Sequence, residues 1–195
     1  MNNKNVLYSI PNLLCLYRVA VIPVLVVLFF IDNAVAAWLN VILIALAGLS
    51  DFLDGYFARK LKQTTLLGKF LDSSSDKLVV IAIFVMLLGT GKLTGFWVIP
   101  AMLIILREVL ISGVREFMVM YNFIVPISLM GKWKLTIQML ACGFLAAGPY
   151  GEALVPHAVG IGYALYLAAT AITLLSGWDY LKTAWTEIKK MDQPG

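Results

Sequence analysis

Long apolar runs alternate with short polar connections along most of this chain. A helix of about 17–25 residues is what it takes to cross a hydrocarbon core of ~30 Å. Read on that scale, the pattern predicts six helices, at residues 13–31, 34–58, 70–89, 95–119, 132–149 and 157–182. Asp32-Asn33 separates the first two, Gly89-Thr90-Gly91 precedes the fourth, and Gly148-Pro149-Tyr150-Gly151 precedes the sixth. Pro11 is expected to break a short amphipathic N-terminal segment from the first span. The fold class expected is therefore all-α, a polytopic membrane protein of six transmembrane helices forming one domain over residues 1–195. No cleavable signal peptide is evident, because the first apolar run lacks a small-residue cleavage site at its end.

Composition narrows this further. Hydrophobic residues make up 61% of the chain and charged residues 13%, against about half and a quarter in soluble domains, which leaves little for a soluble domain. The net charge of +4 is spread out and not gathered in a basic tract, so nucleic-acid binding is disfavoured. Cys15 and Cys142 fall in apolar runs and read as buried thiols, not as a disulfide or metal pair. Lys and Arg also set the orientation. Arg59, Lys60, Lys62 and Lys69 lie in the 58–69 connection, Lys132 and Lys134 flank the fifth helix, and Lys182, Lys189 and Lys190 follow the sixth. The opposite connections hold only Lys92, so both termini are expected in the cytoplasm.

Four aspartates then stand out. Asp51 and Asp54 share a face at the end of the second helix, and Asp72 and Asp76 share one at the start of the third. A carboxylate at membrane depth is costly unless paired, hydrated or bound to a cation. Two such pairs make an oxygen-rich pocket suited to Mg²⁺ or Mn²⁺, with the rest of the shell supplied by water and substrate phosphates. The ligand this favours is a pyrophosphate, which Arg59 lies close enough to help neutralise. Two other readings compete. The acids are solvated helix ends pairing with Arg59, Lys60 and Lys77, or they form an ion-transport path; against the latter, they cluster at one end of the helices.

The arrangement Asp51-x-x-Asp54-Gly55-x-x-Ala58-Arg59, eight residues, then Gly68-x-x-x-Asp72-x-x-x-Asp76 resembles the signature of the CDP-alcohol phosphotransferases at every fixed position. The resemblance implies a six-helix membrane domain, a homodimer, in a bacterial inner membrane with its site facing the cytoplasm. It implies that Asp51, Asp54 and Asp72 ligate two divalent ions, with Asp76 beside them as general base and within reach of the metals. Asn12, Asp51, Asp54, Gly55, Ala58, Arg59, Gly68 and Asp72 are implied to form the CDP site. The flanking segments IPNLLCLYRVAVIP, LREVLISGVREFM, MGKWKLTIQM and LSGWDYL resemble the branch of the family that uses CDP-diacylglycerol and sn-glycerol 3-phosphate. One departure is Ser73-Ser74-Ser75, where that branch usually has Pro and Ala between the last two aspartates.

An anionic acceptor needs cations. Arg107 and Arg115 are eight residues apart on the fourth helix, about 80° around it at ~100° per residue, and Lys132 and Lys134 open the fifth. These four are the expected acceptor-phosphate ligands, and a neutral acceptor would leave them without a role; inositol phosphate is an alternative acceptor. The plainer reading pairs Arg107 with Glu108 or Glu116, pairs Arg115 with a neighbouring acid, and lets the lysines snorkel. Asn12 is expected to cap the first helix or to contact the nucleotide. Trp97, Trp133, Trp178 and Trp185 read as interfacial anchors, and the Gly162/Tyr166 and Ser176-Gly177 pairs as close helix contacts.

Overall fold

The computed structural model describes residues 10–61, 66–121, 123 and 129–191, with the side chains of residues 12–51, 53, 74–121, 123 and 133–189. Six α-helices account for nearly all of these: α1 Ile10–Phe29, α2 Ala34–Leu61, α3 Leu66–Gly89, α4 Val98–Met120, α5 Leu129–Ala147 and α6 Ala158–Met191. Short 3₁₀ turns at Gly95–Trp97 and Gly148–Ala153 precede α4 and α6. The expected amphipathic segment and Lys62 lie outside the described residues.

Helix ends follow local chemistry. The Asn33 side chain accepts a hydrogen bond from the Ala36 amide at 2.8 Å, capping α2. At the end of α3 the Leu93 amide donates back to the Leu87 carbonyl at 3.0 Å, a reversal that places Gly91 at φ +71°. Pro11 falls in the first described turn of α1, a position where proline's missing N–H costs no helix bond. One expectation changes at α1. Asn12 is inside the helix and 1% exposed, so it is not the cap. The cationic connection after α2 also shortens, because Arg59 and Lys60 belong to α2 and Lys69 to α3. Ser73-Ser74-Ser75 continue α3 without a break.

Packing sets the layout. α1 packs along both α2 and α3, whereas α2 and α3 meet little among the described residues, so α1 is wedged between its two successors. α5 packs on α2 and α6, and α4 packs on α6. The inward face of α1 runs Asn12, Cys15, Arg18, Val21, Leu25, Phe29. Its apolar half joins Ile44, Val80, Ile83, Phe84, Leu87 and Tyr166 in the main core. On α4 the buried stripe Ala101, Ile104, Glu108, Ile111 contains one acid.

Trp133, Trp178 and Trp185 are exposed, as interfacial anchors require, but Trp97 stacks on Tyr163 with ring centroids 4.3 Å apart and lines the core. Gly162 does allow close contact: a Cβ there would lie 3.1 Å from the Phe144 Cβ. Cys15 and Cys142 are buried and unbridged.

Four segments, Asn12–Phe29, Ala34–Asp51, Gly95–Met120 and Ala158–Lys189, are long and apolar enough to cross a membrane, which marks a multi-pass membrane protein. α3 carries Lys69, Asp72, Asp76 and Lys77 in its first half, which lowers its apolar character there.

Candidate active site

Arg18 organises the carboxylate end. An arginine in the middle of an apolar helix must find anions, and Arg18 is 1% exposed. Its Nη1 lies 3.1 Å from Asp51 Oδ1 on α2 and forms an ion pair with Asp76 Oδ1 on α3. Its Nη2 donates to Cys15 Sγ one turn earlier, at 3.5 Å. Because α1 is wedged between α2 and α3, one guanidinium reaches carboxylates on both sides. Removing one partner of such a buried pair typically costs ~3–5 kcal/mol, since the other charge is left uncompensated.

The geometry therefore brings Asp51 and Asp76 together, through a residue that the aspartate pattern did not reveal. The signal for Arg18 was present: it is a lone charge within the first apolar run. Asp54, Gly55, Ala58 and Arg59 lie in the closing turns of α2, and Gly68 and Asp72 in the opening turns of α3, with side chains outside the described set. Among the described residues no group of three or more His, Cys, Asp or Glu is found. The donor set still suits a hard divalent ion, because Asp51 and Asp76 already converge on one positive group and both offer oxygen.

A second polar cluster lies on the adjoining face. Lys77, next to Asp76, donates to Ser112 of α4, and Ser112 lies 3.4 Å from Glu116. Glu108, the acid in the α4 stripe, receives Lys134 of α5 at 2.5 Å and Arg107 at 3.4 Å. Arg107 Nη2 also donates to Ser176 of α6 at 3.1 Å. Arg115 sits over the Tyr180 ring, 5.7 Å from its centroid. The pairing of Arg107 with Glu108 is thus realised, while Arg115 lies against an aromatic face. Arg107 and Lys134 are brought together through Glu108; the Lys132 side chain lies outside the described set.

The sequence matches the family model for CDP-alcohol phosphatidyltransferases over residues 8–178. It is 38% identical over 178 residues to the CDP-diacylglycerol–glycerol-3-phosphate 3-phosphatidyltransferase of Rickettsia typhi, covering 91% of this chain and 98% of the relative. The proteins of the same name from Haemophilus influenzae and Salmonella choleraesuis are 38% and 39% identical over 180 residues, covering 91% of this chain and 94% and 95% of theirs. The match spans α1 to most of α6, and so takes in the carboxylate site and the Arg107–Lys134 cluster alike. With that span covered and the four-aspartate spacing intact, the chain belongs to the CDP-alcohol phosphatidyltransferase family.

Proposed function

We propose that this chain transfers the phosphatidyl group of CDP-diacylglycerol to sn-glycerol 3-phosphate, giving phosphatidylglycerophosphate and CMP. The observation that carries the reading is the near full-length similarity to transferases named for that reaction. All six helices cross the membrane, both termini face the cytoplasm, and the enzyme is a homodimer of the bacterial inner membrane. The carboxylate end then opens to soluble substrates, and the exposed apolar side chains of α1 and α4, such as Val27 and Leu106, meet lipid.

Asp51, Asp54, Asp72 and Asp76 hold two divalent ions, Mg²⁺ or Mn²⁺. When bound, the ions supply positive charge against the pyrophosphate and the departing CMP. Asn12, Gly55, Ala58, Arg59 and Gly68 complete the nucleotide site with the aspartates of α2 and α3. Asp76 accepts the proton of the acceptor hydroxyl as its oxygen bonds to the β-phosphorus and the bond to CMP breaks. Arg18 fixes Asp51 and Asp76 relative to each other, so the base and a carboxylate of the opposite helix keep one geometry. Arg107, Arg115, Lys132 and Lys134 receive the acceptor phosphate, Arg107 with its planar fork.

The test is CMP release by purified protein with CDP-diacylglycerol and Mg²⁺, offering glycerol 3-phosphate, inositol phosphate, serine or no acceptor. Release that requires glycerol 3-phosphate is the expected result. Release only with inositol phosphate would reassign the acceptor. Metal flux in liposomes without CMP release would replace the enzyme by a transporter.

A further inference from the structure

The Ser176-Gly177 pair on α6 does not serve close helix packing in the way Gly162 does. Around Gly162 the atoms that a Cβ would meet belong to Phe144 and Leu145. Around Gly177 the three nearest all belong to Arg107: a Cβ would lie 2.9 Å from Nε, 3.0 Å from Cγ and 3.5 Å from Cδ. Carbon atoms rest at about 3.5–4.0 Å from one another, so a methyl group there would take the space of the arginine stem. Moving only the tip does not relieve this, because Cγ is among the atoms displaced.

The head of the same side chain is seated by Ser176. Its hydroxyl donates to the Thr173 carbonyl at 3.1 Å, which commits the hydrogen and leaves a lone pair to accept Arg107 Nη2 at 3.1 Å. Thr173 is in turn tied to α5, where Gln138 Nε2 donates to its Oγ1 at 3.0 Å. On the other flank, Nη1 lies 3.4 Å from Glu108, itself held by Lys134. Nε has no hydrogen-bond partner among the described residues. The arginine is therefore placed by three helices: a missing side chain and an oriented hydroxyl on α6, and a carboxylate on α4 anchored from α5.

We propose that Gly177 and Ser176 are positioning residues for the acceptor, setting Arg107 in the pose that receives the acceptor phosphate. This rests on the assignment of Arg107 to that phosphate. Bidentate recognition by a planar guanidinium depends on orientation, so a shifted stem weakens acceptor binding while the CDP-diacylglycerol side is untouched.

The experiment compares KM for glycerol 3-phosphate and for CDP-diacylglycerol in the full chain, for Gly177→Ala, Ser176→Ala, Arg107→Gln and the Gly177→Ala/Arg107→Gln double variant. Expected are an acceptor KM raised about tenfold or more by Gly177→Ala and severalfold by Ser176→Ala, a CDP-diacylglycerol KM changed less than about twofold, and no further rise when Gly177→Ala is added to Arg107→Gln. An acceptor KM that rises in Arg107→Gln but not in Gly177→Ala would overturn the positioning role and leave the acceptor site standing. So would equal effects of Gly177→Ala in both backgrounds. An unchanged acceptor KM in Arg107→Gln would remove the acceptor assignment, and this proposal with it. Ser176→Ala adds no atoms, and an unchanged acceptor KM in that variant decides against the proposal should Gly177→Ala fail to fold.

Discussion

Asn12, Cys15 and Arg18 continue the same buried face of α1 as Val21, Leu25 and Phe29, but the two halves of that face are held by different forces. The apolar half sits among Ile83, Phe84 and Leu87, where non-directional burial is worth ~25 cal/mol per Å² and neighbouring side chains substitute for one another. The polar half depends on one guanidinium meeting carboxylates from two helices. Replacement there leaves a charge without its partner. α3 repeats the division, with Ser75 and Asp76 toward one end and Val79, Val80, Ile83 and Phe84 toward the other. Specific placement is thus concentrated at the carboxylate end, while most of the apolar burial is collected at the other. Stability and chemistry should respond separately to mutation.

Four substitutions test that separation. The largest effect is expected for Asp76→Asn, which removes the proposed base and one of the two carboxylates that Arg18 meets; CMP release should fall by about 10²–10⁴-fold, with a lowered thermal unfolding midpoint in detergent. Arg18→Leu should damage both properties, lowering stability by ~3–5 kcal/mol and reducing CMP release. Leu87→Ala, in the apolar half, should cost a similar ~2–5 kcal/mol yet leave kcat/KM at low temperature within about twofold. If Leu87→Ala lost activity in step with Arg18→Leu under folded conditions, the two halves would not be separable. Gly162→Ala should cost ~1–3 kcal/mol, because the new methyl meets Phe144 Cβ at 3.1 Å, again without a change in CMP release from folded protein.

The smallest effect concerns the far end, where Lys92 Nζ donates to the Ala146 carbonyl at 3.0 Å. Lys92→Met should lose ~1 kcal/mol at neutral pH and no activity. Burial pushes the Lys92 pKa down from 10.5, with Asp32 opposing. The folded state then binds fewer protons than the unfolded one between the lowered pKa and 10.5, so this group's contribution to stability rises with pH in that window. The parent should gain on Lys92→Met as pH climbs through it, measured as the difference between their unfolding midpoints.

Helix positions were legible because the apolar runs have the length of a bilayer and the breaks carry Asn, Gly and Pro; α2, α3 and α5 end within a few residues of their expected limits. α6 runs to Met191, past the expected limit at 182, because a charged amphiphilic tail continues a helix as readily as an apolar run. The aspartate pattern was legible because i,i+3 and i,i+4 spacing is local. Arg18 was harder to place, since its partner Asp51 is 33 residues away and nothing local announces that α1 lies between α2 and α3. The role of Gly177 was hidden for the same reason. A small residue reads as helix packing until the side chain opposite it is known to be Arg107.

The wedge position of α1 has a consequence for how the protein is made. Arg18 leaves the ribosome 33 residues ahead of Asp51, and further still ahead of Asp76. The first helix must therefore enter the bilayer with an arginine near its middle, a burden of ~2.5–3.5 kcal/mol on insertion scales, before either carboxylate exists. The flanking Leu, Val and Ile residues of α1 carry it in regardless. Each later helix then brings one acid to a cation already present on α1.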